Sequence, residues 1–350
     1  MSRKRSRSLV RVKYSPDINP PVIEEFKRKR GLPRSPLMHP TPGLVAKRVE
    51  AFVQTVNDVV PTGTTVSIWP AIKIETTLAY VAPHQFGPDS GATYTLDRGA
   101  NTVTAKTLRR DDGNFDIVVD GNWFINHVDD SDQDLERNSQ LLAHLAAHEP
   151  QHIVLNLAGL DDSEVVNAAS GESATVNDLL PGTAEAVNEF RCELAANRIA
   201  TSPFPHDAQS VGADLAKFRE SLATSVELAN SDRWTACVTV MTAAKELLKA
   251  VAYAAAFLFY NGRNDRSVPN PLPEHWDRYM ARLWPDLLEI FAAIPAADEP
   301  VDPAALGEAV YAMSGRTARW LQDIGVTYLV EEVVDGEWQR SCWWDVQQPI

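Results

Sequence analysis

The sequence predicts an α+β protein: a small, mostly antiparallel sheet, then a pair of helices carrying a metal-site motif, then a helical C-terminal part. Three observations carry this expectation. Runs rich in β-branched residues, separated by turn residues, fill the stretch from Thr64 to Val119. Between Leu135 and Ala200, histidines and glutamates recur at four-residue intervals within helical apolar spacing. From Asp207 onward the pattern is predominantly helical.

In chain order, residues 1–42 form a basic, proline-rich arm that reads as a disordered, solvated tail. Leu44, Val45, Val49, Phe52, Val53 and Val56 then give Gly43–Val59 a helical stripe, ended by Pro61-Thr62-Gly63. Strands are expected at Thr64–Ile74, Thr77–Val81, Thr93–Leu96, Thr102–Leu108 and Phe115–Val119, with Asp112-Gly113-Asn114 as a turn. The amphipathic stretch Leu135–Ala147 runs directly into the histidine motif, and Leu180-Pro181-Gly182-Thr183 reads as a turn before a second helix over Ala184–Ala200. Helices follow at Asp207–Asn230, Arg233–Tyr260, Glu274–Ala293 and Pro303–Ile324. A strand from Thr327 to Val334, a tight turn and a second strand with Cys342-Trp343-Trp344 close the chain. The expected domains are the arm (1–42), a metal-site domain (43–206) and a helical domain ending in a short hairpin (207–350).

Composition narrows the possible classes. A chain of 350 residues, 44% hydrophobic, can bury one large core or two smaller ones. The most apolar stretch, Ala250–Phe259, is far shorter than the roughly 20 residues that span a bilayer, so it is expected to be a buried core helix and no membrane partner is expected. The basic N-terminus lacks the apolar run of a signal peptide, and Cys192, Cys237 and Cys342 lack metal-type spacing, which fits a reducing, cytoplasmic setting. Residues 1–34 carry a net charge of +8 and the remainder −22. The arm offers a contact for nucleic acid through residues 3–34, but without interleaved aromatics that reading is not favoured. No internal repeat, phosphate loop or nucleotide fingerprint is present.

The chemistry concentrates in His148-Glu149-Pro150-Gln151-His152. Four residues apart on a helix, His148 and His152 lie on one face and can ligate one zinc, with Glu149 directed at the water position as general base. Zinc lowers the pKa of such a water to about 7. Pro150 removes an amide donor and presses on the carbonyl of Ala146, so a kink or loosening is expected there. His144 makes a competing pair with His148. Three histidines over eight residues span about 12 Å, too far for all to reach one ion, so His148 with His152 is preferred and His144 reads as a partly buried histidine. A third ligand is expected from the next helix. Glu193 is the first choice, Glu189 one turn earlier is the second, and Asn197 is placed to support a ligating imidazole.

His148-Glu149-x-x-His152, followed by Glu193-x-x-Ala196-Asn197-x-Ile199-Ala200 and Pro203, resembles the ImmA/IrrE family of zinc metallopeptidases over residues 60 to 205. The resemblance implies a zincin-type helix pair with zinc (Zn2+) as cofactor, His148, His152 and Glu193 as ligands, and Glu149 as base. It also implies a sheet whose edge strand binds an extended peptide. The expected function is that of a zinc-dependent metallohydrolase acting on a protein or peptide. The alternative is a non-catalytic helical interaction or regulatory protein with a degenerate site.

Overall fold

The computed structural model describes residues 8–13, 42–71, 73–87, 97–98, 101–102, 104–124, 131–169, 171–203, 208–262, 272–334 and 337–344. Among them are eight β-strands and eleven α-helices. The expected strand Thr93–Leu96 lies outside these residues, as does all of the N-terminal arm except residues 8–13 and 42.

The chain separates into two compact units. One comprises residues 1–97, 102–154 and 195–203, the other residues 98–101, 155–194 and 204–350. The sequence reading placed a boundary at 206/207, but residues 155–194 belong with the C-terminal unit. The reason is local packing: α5 (Asp162–Ala169) lies against α11 (Pro303–Asp323), and the Arg191 guanidinium donates to the carbonyl of Pro295.

In the first unit, β1 (Leu9–Val12), β2 (Thr65–Ala71), β5 (Ala105–Arg109) and β6 (Phe115–Asp120) make a sheet of order β1-β2-β6-β5. The expected mostly antiparallel sheet is corrected here: β1–β2 and β2–β6 are parallel, and only β5–β6 is antiparallel. Near-continuous apolar sequence on β2 and β6, buried along almost every residue, fits parallel strands covered on both faces. Pro70 is tolerated within β2 because β1 ends opposite Ile68, so Pro70 lies beyond the two-sided part of the strand. Helix α1 (Pro42–Val59) buries Phe52 and Val56 and turns into β2 through Gly63, whose φ of 91° suits a residue without Cβ. Thr77–Val81 is not a strand. It lies in α2 (Ile74–Val81), which puts Ile74, Thr77 and Leu78 on one buried face, and α3 (Pro83–Phe86) follows. The two-residue strands β3 (Asp97–Arg98) and β4 (Asn101–Thr102) pair with each other.

Helix α4 (Asp132–Leu157) carries the histidines and continues through Pro150. Its start is a reciprocal cap: the Ser131 amide donates to Asp134 Oδ2 (3.1 Å) and the Asp134 amide to Ser131 Oγ (3.2 Å). Helix α6 (Ala174–Asn197) likewise continues through Pro181-Gly182, where a turn was expected. Packing overrides the local breakers there: the Lys245 side chain fills the space beside Gly182, and the buried Thr183 hydroxyl bonds Ser314 Oγ at 2.6 Å.

The second unit is helical, with α7 (Ala208–Leu228) packed on α8 (Arg233–Tyr260). Of the expected buried stretch Ala250–Phe259, residues 250–256 are buried apart from the half-buried Tyr253, and Phe257, Leu258 and Phe259 are half-buried. No described helix is long and apolar enough to cross a membrane. The expected single helix over 274–293 is two, α9 (Trp276–Tyr279) and α10 (Leu283–Ala292). Pro285 would clash with the carbonyl of Ala281 in a continuous helix, but it fits the first turn of a new one. At the C-terminus β7 (Val326–Val334) and β8 (Glu337–Trp344) pair antiparallel, as expected.

Close helix contact inside this unit gives a test. A Cβ on Gly307 of α11 would lie 2.7 Å from the backbone of Ala168 in α5. Gly307→Val is therefore expected to lower the urea-unfolding free energy by about 1–3 kcal/mol through overpacking. The control Gly315→Ala, whose added Cβ meets nothing within 4 Å, is expected to be neutral or slightly stabilising.

Candidate metal centre

Helical pitch sets the possibilities. One turn advances about 5.4 Å, so His144, His148 and His152 form a ladder on α4, and Glu189 and Glu193 are two successive rungs on α6. The ring centroids of His144 and His148 lie 5.9 Å apart, and those of His148 and His152 5.2 Å apart.

Two groups among the described residues bring one ligand atom each to within 4.8 Å of one another. They are His144, His148 and Glu193, and His148, His152 and Glu189. The set expected from sequence, His148, His152 and Glu193, is thus divided between them: Glu193 converges with His148 and the earlier histidine, and His152 with the earlier glutamate. Ligand atoms around a tetrahedral zinc lie about 3.4 Å apart, so either group closes on an ion with small side-chain adjustments.

Three features favour the first group. His144, His148 and Glu193 are all buried, whereas His152 and Glu189 are half-buried. His144 Nδ1 lies 2.8 Å from the Ala200 carbonyl, which can only accept; Nδ1 is therefore the donor there, and Nε2 is the nitrogen a metal would take. Glu189 Oε2 already accepts from the Tyr253 hydroxyl at 2.7 Å. It also neighbours an ion network in which Lys249 bonds Glu185 at 3.1 Å and Glu246 at 2.8 Å. Burial opposes ionisation of Glu185, but Lys249 and Lys245 outweigh it and hold that carboxyl below the usual carboxylate range.

The Ala200 carbonyl is presented by the end of α6. After Asn197 the amides of Ile199 and Ala200 still bond the Ala196 carbonyl, and Asn197 Oδ1 accepts the Ser202 amide at 3.0 Å. Asn197, 1% exposed, thereby fixes the turn that orients His144. This is a supporting role reached through the backbone of residues 198–202.

Glu149 follows His148, the histidine common to both groups, and is 6% exposed. Its carboxylate accepts from the Thr107 hydroxyl at 2.6 Å, and Thr107 Oγ1 also lies 3.0 Å from the Glu149 carbonyl. Thr107 sits in β5, at one end of the sheet order. Sequence reasoning missed Thr107 because nothing local marks a strand residue that meets a helix 42 positions later. His144 was legible as a competing ligand, but the bond that orients it depends on Ala200, 56 residues away.

No known family, no curated protein and no solved structure matches this chain. What the centre can do follows from its donor set. Two imidazoles and a carboxylate suit zinc with one position open.

Variants at the rungs separate the two groups. His148→Ala and Glu193→Ala are expected to abolish zinc retention, measured as metal per chain after dialysis. His144→Ala should weaken zinc binding by at least the ~10- to 100-fold that losing a supporting residue costs, and His152→Ala by less. Stronger loss from His152→Ala than from His144→Ala would transfer the site to the second rung.

Proposed function

We propose that this chain is a zinc-dependent metallohydrolase that cleaves peptide bonds. His144, His148 and Glu193 hold the ion and Glu149 acts as general base. The observation that carries this reading is the position of Glu149: next in sequence to the shared ligand His148, buried, and held through its carboxylate by Thr107 of β5.

Zinc in such a site polarises a carbonyl and makes water acidic enough to attack at neutral pH. The residues supply the rest. His144, oriented by its Nδ1 bond to the Ala200 carbonyl, directs Nε2 as the ligand atom. Glu149 Oε2 takes a proton from the attacking water and returns it to the leaving amine, while the Thr107 hydroxyl keeps the carboxylate in one rotamer. Among the described residues β5 pairs only with β6, so a substrate strand added along β5 would bring its carbonyls past Thr107. Peptide is accordingly the substrate class we favour.

A second reading has its own support. His144, His148, Glu149 and Glu193 are all at most 6% exposed, and closed coordination is the habit of structural zinc sites. On that reading the ion fastens α4 to the end of α6 and the protein acts through its surfaces.

Hydrolysis of casein or a peptide library by zinc-loaded protein distinguishes the two. Glu149→Gln keeps shape and hydrogen bonding, so it is expected to retain zinc and lose activity by a factor on the order of 10² to 10⁴. Thr107→Val should lower kcat by about 10-fold with KM and zinc content unchanged, as befits a positioning residue. Zinc-loaded wild type no more active than Glu149→Gln would establish the structural reading instead.

A further inference from the structure

Cys237, in the second turn of α8, and Cys342, near the end of β8, are 105 positions apart in sequence, yet their sulfurs lie 2.7 Å apart. Both are buried as thiols. A covalent S–S bond is 2.03–2.05 Å, so bond formation asks for a closure of only ~0.7 Å. The hairpin that carries Cys342 is held independently nearby. Arg340 forms a forked ion pair with Asp178 of α6 at 2.6 and 2.9 Å, the Trp344 indole donates to Ser225 of α7 at 3.1 Å, and the Val330 amide donates to Thr175 at 3.0 Å. Tyr328 also bonds Asp178. With this end of the hairpin fixed by α6 and α7, the two sulfurs face each other in an arrangement that chain motion does not easily undo.

We propose that Cys237 and Cys342 are an oxidisable pair whose disulfide clamps the β7–β8 hairpin onto α8, formed by exchange with a small disulfide such as oxidised glutathione. The Cys237 thiolate attacks one glutathione sulfur and the other glutathione leaves as its thiolate. Cys342 then attacks the Cys237 sulfur of the mixed disulfide, releasing the second glutathione. The two thiol protons end on the two glutathiones, so two thiols are oxidised and one disulfide is reduced. Exchange requires access, which folding from the reduced, unfolded chain provides before the hairpin docks. The bond would close a loop of about a hundred residues and so restrict the unfolded chain strongly. The third cysteine, Cys192, is buried in α6 and supplies the control.

The test refolds the reduced full-length protein from urea in a glutathione redox buffer, alkylates free thiols and maps peptides by mass. The expected result is a Cys237–Cys342 linked peptide with the alkyl label confined to Cys192. The oxidised protein should also melt about 5–10 °C higher than the same sample after reductant. Cys192→Ala should give the same linkage and the same shift. Three labelled thiols in the refolded protein, a linkage through Cys192, or loss of the linkage in Cys192→Ala would each overturn the proposal.

Discussion

The bond from His144 Nδ1 to the carbonyl of Ala200 does two things at once. It ties the middle of α4 to the turn that ends α6, and it selects Nδ1 as the ring nitrogen that donates to that carbonyl. Every property proposed for the centre depends on that choice. With Nε2 unprotonated, His144 and His148 offer neighbouring donors one turn apart, and a carboxylate from α6 completes a set with the charge and softness zinc prefers. With the opposite tautomer the ring would present a proton to the ion. Asn197 stands one step further back, since the turn it closes sets the direction of the Ala200 carbonyl.

Both helices that supply candidate ligands have proline in their interior, Pro150 in α4 and Pro181 in α6. Each substitution of an ordinary residue by proline within a helix costs about 3 kcal/mol, so the surrounding packing must offset it. In α4 the offset comes from the buried residues on either side, Ala146, Ala147, Ile153 and Leu155. In α6 it comes from Leu179, Leu180, Ala184 and the buried Thr183–Ser314 pair. The expected kink at Pro150 does not end the helix, and this keeps the three histidines on a single ladder.

The long helices were legible because each has an apolar stripe and strong ends. Arg233–Tyr260 is recovered to the residue, starting at the Asp232 side chain that accepts the Thr235 amide, and Pro303–Asp323 follows Asp302, which caps Ala304. The misreadings share one cause, local chemistry overruled by distant contacts. Thr76 and Thr77 favour a strand, but burial of Thr77 and Leu78 beside β2 and β6 selects helix. The parallel direction of β2 and β6 is a tertiary property, which hydropathy alternation does not encode. At the centre, sequence spacing singled out His148, His152, Glu193 and Glu149, and the first three fall within the two groups whose ligand atoms converge. It did not determine which turn of α4 meets which turn of α6, because rung pairing is a tertiary property. Thr107 was invisible for the same reason.

The short strand β1 sits at the margin of all this and has a practical consequence. Leu9–Val12 pairs residue by residue with Thr65–Ile68, so β2 is an interior strand only while those four residues are present. Trimming the N-terminal arm as a dispensable basic tail would leave the unpaired amides and carbonyls of an apolar strand at a sheet margin, a template for pairing with a second molecule. A shortened chain is therefore prone to self-association, whatever the fate of the metal centre. A tag or fusion partner is better placed ahead of residue 8 than in exchange for it.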